Sequence, residues 1–121
     1  IFIQKGEPAF RNIEEKIILN LKNKKNIVLS LGGGSILSKN VRNLIKNDFF
    51  TVFLDVDIPI LVKRLNKNKK RPQLIDVNIK KKIKELDLIR RKYFILANII
   101  IHNNNTTDEV IKIFLQHYKY N

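Results

Sequence analysis

Three consecutive glycines at the end of an apolar run constrain this chain more than any other feature. The apolar segment 27–31 leads directly into Gly32, Gly33 and Gly34, and the 121 residues contain only four glycines. Glycine lets a backbone turn tightly and approach a ligand closely. In α/β proteins, small molecules bind at the carboxyl edge of the parallel strands. The segment therefore predicts a binding loop at such an edge, or else a plain turn from a strand into a helix.

Helical and strand-like hydrophobic patterns alternate along the chain. Phe10, Ile13, Ile17 and Leu21 recur at helical spacing, which predicts that they form the buried face of a first helix. Short runs rich in β-branched and aromatic residues predict strands between the helices. The predicted helices cover residues 7–25, 38–46, 58–65, 77–96 and a final segment after residue 106, and the predicted strands cover 26–31, 49–56 and 98–102.

Polar residues predict where two of the helices begin. Ser38 is a suitable N-cap for the second helix. Thr106 followed by Glu109 forms a capping box for the last helix. The apolar residues that the last helix should turn inward are Val110, Ile113 and Phe114.

The order of these elements predicts an α/β fold with a parallel sheet in a three-layer arrangement, because strands that alternate with helices are covered on both faces. Three strands are few for such a sheet. The chain also contains no methionine, even at position 1. We therefore expect residues 1–121 to form a single partial domain that lacks its N-terminal strands.

The composition excludes several classes of function. Cysteine is absent, and His102 and His117 lack any paired ligand spacing, so we expect neither a zinc site nor a serine–histidine triad. No apolar run is long enough to span a membrane and no signal peptide is visible, which predicts a cytoplasmic protein. The net charge of +13 favours anionic partners, although a bias toward lysine and asparagine could spread it over solvated faces. The lysine-rich segments 22–25, 67–71 and 80–84 contain no aromatic residue, which argues against an RNA-binding module.

Arginines in two segments could bind anionic ligands. Arg11 stands three residues before Glu14, which suits a surface ion pair or a planar grip on a ligand carboxylate. The polar, basic segment at about 66–76 contains Arg71 and follows Arg64. We interpret this segment as a mobile loop that is either simply solvated or closes as a lid over phosphates.

Two further pairs of charged residues allow more than one interpretation. Arg90 and Arg91 adjoin near the end of the long helix, where one of them could reach a carboxylate. Asp55 and Asp57 form an Asp-x-Asp at the end of the second strand, which suits a metal site. Asp57 is also a natural N-cap for the helix that begins at Ile58, and we favour that structural role.

Four motifs in order and at matching spacing resemble the signature of the shikimate kinase family. The resemblance runs without an evident gap from Phe2 to about Arg90 and more loosely to the C-terminus. The motifs are Arg11-x-x-Glu14 with an apolar Ile18, Val28-Leu29-Ser30-x-Gly32-Gly33-Gly34-x-Ile36, Arg71-Pro72-x-Leu74 preceded by Arg64, and Arg90 followed by Tyr93 and Ala97.

The resemblance implies a P-loop fold of the nucleoside-monophosphate-kinase-like type. It also implies transfer of the γ-phosphoryl group of ATP to the 3-hydroxyl of shikimate, with Mg²⁺, in aromatic amino acid biosynthesis. Shikimate and ATP would be the partners of a monomeric protein that binds neither nucleic acid nor membrane. The implied roles are Arg11 and Arg90 at the shikimate carboxylate, Gly32, Gly33 and Gly34 against its ring, Arg71 at the ATP phosphates, and Arg64 near the nucleotide base.

The chain departs from the family pattern in two places. After Arg90 it lacks the family's proline and is about one residue shorter, so Arg91 remains an alternative to Arg90. The phosphate-binding loop Gly-x-x-x-x-Gly-Lys-Ser/Thr does not occur in the 121 residues. The resemblance thus implies that no catalytic or metal-binding residue lies in this chain, and we expect the chain by itself to be inactive. Another small-molecule kinase of the same fold and a degenerate, non-catalytic ligand-binding domain are the alternatives.

Overall fold

The computed structural model describes residues 2–66 and 76–118 of the chain. The chain divides into two compact units, Ile1–Thr51 and Val52–Asn121. The predicted loop at about 66–76, with Arg71, falls almost entirely outside the described residues. The elements are α1 (Phe2–Leu19), a 3-10 turn (Ser35–Leu37), α2 (Lys39–Asp48), β1 (Val52–Asp55), α3 (Ile58–Asn66), α4 (Asp76–Phe94), β2 (Ile99–His102) and α5 (Thr107–Tyr118).

Helix α1 contains a kink at Gly6, whose φ of 81° lies in the left-handed region that favours glycine. The regular part of the helix follows this kink, and Pro8 lies in its first turn, where a missing N–H costs little. The helix ends at Leu19 rather than at residue 25 as predicted. Asn23 and Asn26 adopt positive φ angles of 72° and 60° just beyond it, and such residues cannot continue a right-handed helix.

The buried face of α1 differs from the predicted one. Ile17 is 60% exposed and Ile13 is 37% exposed, whereas Ile18 is buried. Arg11 and Glu14 share the face of Ile18, because their spacing of three and four residues is helical. The hydrophobic pattern predicted the wrong face of α1 because the inward face carries the charged side chains of Arg11 and Glu14. The core of the first unit comprises Ile18, Val41 and Leu44, flanked by Leu19, Leu29, Leu31, Ile45 and Phe49.

The predicted strand at 26–31 is wrong. The segment forms no strand, and Val28 is fully exposed. A strand is held by ladder hydrogen bonds to a neighbour, and no other part of residues 2–66 and 76–118 pairs with this segment. Leu29 and Leu31 nevertheless pack against the core of the first unit. The segment therefore carries the chain past the core and into the glycines without the support of a sheet.

The second unit contains a parallel pair of strands, β1 and β2, with Val52 opposite Ile99 and Asp55 opposite His102. The strands predicted at 49–56 and 98–102 are confirmed with shorter bounds. Helices α3 and α4 pack against each other and α5 packs against β2. Ile101 in β2 is almost completely buried. This α/β arrangement confirms the predicted fold class, with two paired strands in the described residues where three were expected.

The last helix is less buried than its pattern predicts. Ile113 is 38% exposed, and none of the described residues of α5 is fully buried. Val110 and Phe114 are half-buried, and the ring of Phe114 stacks on Tyr118 with centroids 5.2 Å apart. The inward orientation predicted for Ile113 is therefore wrong.

The predicted N-caps Ser38 and Thr106 are confirmed, and of the predicted capping box only the bond from the Glu109 amide to Thr106 is formed within the described residues. The Ser38 hydroxyl accepts a hydrogen bond of 3.2 Å from the Val41 amide, and the Thr106 hydroxyl accepts one of 3.3 Å from the Glu109 amide. Each bond satisfies an amide that has no partner within its own helix. Of the helices described, none has the length and apolar character needed to cross a membrane.

Replacement of Ser38 by alanine should lower the free energy of unfolding by about 1 kcal/mol, because the Val41 amide loses its cap. Urea denaturation of the two proteins measures the difference. Ser38→Asp serves as the control, since aspartate is an equally good N-cap and should keep the stability within a few tenths of a kcal/mol. Equal loss in both variants would show that the cap bond contributes nothing.

Candidate functional site

A concave pocket of about 570 Å³ lies in the first unit, between α1 and the loop that follows the glycines. Arg11 and Glu14 line it from α1, and Gly34 and Ser35 line it from the loop. The first turn of α2 closes one side with polar residues, including Ser38 and Asn40. The structure thus brings together Arg11 and the glycine segment, which are more than twenty positions apart in the sequence.

The Arg11 guanidinium is held by one strong ion pair. Its Nη1 donates a hydrogen bond of 2.9 Å to Glu14 Oε1, and its Nε lies 3.6 Å from Glu7 Oε1. The side chain of Arg11 is only 32% exposed and that of Glu14 only 19%. A charge-assisted bond that is partly withdrawn from water is stronger than an exposed surface pair. Glu14 therefore fixes the direction in which Arg11 points.

Gly34 allows the guanidinium of Arg11 to lie against the backbone of the loop. A Cβ atom added at Gly34 would lie 2.7 Å from Arg11 Nη1 and closer still to Nη2 and Cζ. The φ of −87° at Gly34 is open to any residue, so glycine is required there by space alone. A Cβ at Gly32 would meet Glu14 Oε2 at 3.2 Å. Small size at both positions is what allows the charged pair to approach.

The loop itself is fixed from two sides. The Ser35 amide donates to the Gly32 carbonyl at 3.1 Å, which closes a turn across the glycines. Arg42 in α2 donates from Nη1 to the carbonyls of Ile36 and Leu37 at 3.0 and 2.9 Å. These bonds place the glycine segment before any ligand is present, which reduces the entropy that binding would cost.

Two polar atoms in the wall of the pocket have unused hydrogen-bonding capacity. Arg11 Nε and the Ser35 hydroxyl are both buried, and neither has a hydrogen-bond partner within residues 2–66 and 76–118. Ser35 as a whole is only 3% exposed. Buried polar groups are normally paired. Both atoms are covered by the protein, and they are exceptions to this rule beside the pocket.

The second unit contains a denser charged cluster around Arg91. Its Nη2 and Nη1 donate to the two carboxylate oxygens of Asp55 at 2.8 and 3.1 Å, and its Nε donates to both oxygens of Asp87 at 3.0 Å. His102 Nδ1 lies 3.9 Å from Asp55. Hydrogen bonds from Arg91 lower the pKa of Asp55, against the effect of burial, and raise the pKa of Arg91.

The carboxylates of Asp55 and Asp57 are committed to protein donors. Asp55 accepts hydrogen bonds from Arg91. The Asp57 amide donates to Asn104 Oδ1 at 2.9 Å, and Asn104 Nδ2 donates to the Asp57 carboxylate at 3.2 Å. The Asp57 carbonyl also accepts from the amides of Ile60 and Leu61 at the start of α3, as expected of an N-cap position. Within the described part of the chain, no group of three metal-ligating side chains occurs.

The remaining predicted site residues are distributed as follows. Arg64 is exposed in the last turn of α3, and Arg90 is half-buried near the end of α4. Gly33 is exposed in the loop turn, and Arg71 lies outside the described residues.

The family model for "Shikimate kinase" matches residues 1–119. The chain belongs to the shikimate kinase family. It is 36% identical to the shikimate kinase of Buchnera aphidicola over 118 residues, which cover 95% of this chain and 68% of the relative. These findings assign the chain to the ATP-dependent kinases whose phosphoryl acceptor is shikimate.

Solved structures agree with this assignment. The shikimate kinase of Acinetobacter baumannii, in complex with shikimate, matches with a TM-score of 0.84 and 28% identity, over 99% of this chain and 69% of that one. The shikimate kinase of Bacteroides thetaiotaomicron matches with a TM-score of 0.89 and 20% identity, over 98% and 72%, and at that identity it supports the fold alone. The predicted P-loop kinase fold is thereby confirmed, and the chain spans about two thirds of the length of these relatives.

The sequence analysis did not predict the ion pairs of Arg91 with Asp55 and Asp87. It also did not predict the hydrogen bonds between Asp57 and Asn104. The spacing of four residues between Asp87 and Arg91 is a helical ion-pair signal that could have been used. Asp55 and Asn104 lie 36 and 47 positions from their partners. No local pattern connects residues so far apart, so the topology of the fold alone brings them together.

Replacement of Gly34 by alanine should displace the Arg11 guanidinium without unfolding the protein. The backbone at Gly34 accepts alanine, and moving the Arg11 guanidinium away from Glu14 gives up a hydrogen bond to a charged group, worth about 1.5–3 kcal/mol. The Arg11 side-chain Nε–H signal in an NMR spectrum reports the displacement, and thermal denaturation reports the stability. Gly32→Ala is the milder comparison, because its Cβ would lie 3.2 Å from Glu14 Oε2 and 3.7 Å from Ser35 Oγ and should therefore shift the Arg11 signal less. An unmoved Arg11 signal in Gly34→Ala would contradict the contact.

Acid should weaken the second unit through Asp55. Because the pKa of Asp55 is lower in the folded protein, its stabilising effect is complete above the unfolded pKa of about 3.9 and is lost as pH falls through the folded pKa. Asp55→Asn should therefore cost about 1.5–3 kcal/mol at pH 7, the usual contribution of a hydrogen bond to a charged group. Urea titrations at pH 7 and near pH 3 should show this cost shrinking in acid, whereas a constant difference would exclude the ion pair as its source.

Proposed function

We propose that Arg11 binds the carboxylate of shikimate in the pocket of the first unit. The observation that carries this proposal is the placement of a directed, only partly exposed guanidinium against Gly34, with Glu14 on one side of it. The planar fork of arginine matches a carboxylate with two parallel hydrogen bonds. Glu14 occupies Nη1, so a ligand carboxylate would be bound through the remaining nitrogens of the guanidinium.

The glycine segment suits the ring of the same ligand. Gly33 is exposed in the loop turn and presents bare backbone with polar peptide groups, against which a hydroxylated ring can lie. The side-chain space at Gly32 and Gly34 is taken by Glu14 and Arg11, so these two glycines serve the ring by letting the charged pair come close to it. Phosphoryl transfer depends mainly on positioning and on the neutralisation of charge. If the carboxylate is fixed at one end of the ring, the 3-hydroxyl has a fixed direction relative to the phosphoryl donor. The proposed role of this unit is thus to orient the acceptor.

We assign the second carboxylate contact to Arg90 rather than to Arg91. The guanidinium of Arg91 already binds two carboxylates of the protein through its three nitrogens. A ligand carboxylate would have to displace Asp55 or Asp87 to bind it. The resemblance implies this role for Arg90, and the proposal for it rests on that resemblance.

Two further arginines are candidates for binding ATP. We propose Arg64 near the base and Arg71 at the phosphates of ATP, as the resemblance implies. Mg²⁺ is the expected metal of the family, but the residues described here do not fit it, because Asp55 and Asp57 are bound by Arg91 and Asn104. No step through the metal is therefore assigned to this chain. The monomeric state, the cytoplasmic location and inactivity of the isolated 121 residues remain predictions.

Arg11→Met in the protein as its gene encodes it should weaken shikimate binding about 10- to 150-fold. This range corresponds to the loss of about 1.5–3 kcal/mol for hydrogen bonds to a charged group. Titration calorimetry with shikimate measures the affinity, and steady-state kinetics give the KM values for shikimate and for ATP. The KM for ATP should stay within about twofold.

Two further variants make this test specific. Arg11→Lys keeps the charge without the fork and should recover only part of the affinity. Lys16→Met removes one charge from an exposed position of the same helix and should leave shikimate binding unchanged. Equal affinities for the wild type and Arg11→Met would reject the assignment. Normal shikimate binding without turnover in the wild type would favour the non-catalytic alternative.

A further inference from the structure

The Arg91 cluster connects two elements of the second unit at a specific place. Arg91 lies in the last turn of α4, and Asp55 is the last residue of β1. The two-pronged bond between them spans 36 positions of sequence. Asp87 lies one turn earlier on α4 and receives the remaining nitrogen of the same guanidinium. The end of the helix is therefore attached to the carboxyl end of the strand.

The cluster leaves the guanidinium little freedom. All three of its nitrogens are engaged, and planar bonds of this kind fix orientation as well as distance. The guanidinium also lies over the ring of Phe53, with Cζ 5.6 Å from the ring centroid. Phe53 in turn stacks on Phe94 from α4 with centroids 5.0 Å apart. Charged and aromatic contacts thus hold the same turn of α4 on β1.

This attachment fixes the rotation of α4 about its own axis. Successive residues of an α-helix are separated by about 100° because 3.6 residues make a turn. When Arg91 is held toward the end of β1, the direction in which Arg90 leaves the helix is determined as well. A free helix end could rotate or fray and would carry Arg90 with it.

We propose that Arg91, with Asp55 and Asp87, is a positioning device for Arg90 in shikimate binding. The inference rests on the proposed function of Arg90. Arg91 itself does not contact shikimate in this scheme, because Asp55 and Asp87 occupy its donors. Its contribution is to hold Arg90 in the orientation that shikimate binding requires, as supporting residues commonly do for ligand-binding side chains.

The test compares Arg91→Met, Arg90→Met and Lys84→Met in the full-length protein. Lys84 is an exposed basic residue of α4, so its variant controls for the loss of one charge from the same helix. Arg91→Met should raise the KM for shikimate about tenfold, less than the loss of about 10²-fold that a misplacement near 1 Å can cause. The kcat and the KM for ATP should change by less than about twofold, and Lys84→Met should match the wild type.

Conservative and double variants separate positioning from simple stability. Arg91→Lys retains the charge but cannot form the fork, so it should recover only part of the shikimate KM. Asp55→Asn combined with Arg91→Met should be no worse than Arg91→Met alone, because both changes break the same contact. Asp87→Asn, which leaves the Asp55 bond in place, provides a milder variant should Arg91→Met fail to fold, and it should raise the shikimate KM by a smaller factor.

The outcomes distinguish this inference from the function on which it rests. An unchanged shikimate KM in Arg90→Met would overturn the role proposed for Arg90. A raised KM in Arg90→Met together with an unchanged KM in folded Arg91→Met would overturn only the positioning role. A lower melting temperature in Arg91→Met with no change in any kinetic constant would show that the cluster serves stability alone.

Discussion

The contact between the Arg11 guanidinium and the backbone at Gly34 governs the first unit. It requires a charged side chain on the face of α1 that also carries Ile18, which is buried in the core two turns further along. A charge in such a place must be paired, or its desolvation would destabilise the fold. Glu14 supplies the pair, and the lack of a side chain at Gly34 supplies the space. The Ser38 cap and Arg42 then hold the loop at the distance that this contact needs.

The two units use arginine in contrasting ways. Arg91 is saturated by two carboxylates, which makes it a fastening between a helix and a strand. Arg11 forms one hydrogen bond to Glu14 and keeps a buried Nε without such a bond in the described residues. A saturated guanidinium stabilises its surroundings, whereas an unsaturated one in a pocket is available to a ligand. The number of occupied donors therefore distinguishes the structural role of Arg91 from the proposed binding role of Arg11. Exposure does not, since the Arg91 and Arg11 side chains are 39% and 32% exposed.

Local signals in the sequence predicted most of the elements but not their buried faces. The caps at Ser38 and Thr106, and the helices that follow them, are confirmed because capping depends on neighbours only a few residues away. The strand at 26–31 failed because pairing depends on a distant partner. The buried face of α1 was wrong because Arg11 and Glu14 occupy inward positions that hydrophobicity assigns to apolar residues. The motifs pointed to Arg11 and the glycines as binding residues, but no pattern indicated that Asp55 would bind Arg91 across 36 positions.

The reciprocal bonds between Asp57 and Asn104 join the loop after β1 to the loop after β2. A third bond, from the Asn103 amide to the Asp55 carbonyl at 2.7 Å, lies beside them. Two unconnected loops would each have to be ordered separately, at a separate cost in conformational entropy. Loops that are bonded to each other are ordered together. The two loops at the carboxyl edge of the sheet are thus held together as one unit. A displacement of one loop relative to the other would have to stretch or break these three hydrogen bonds.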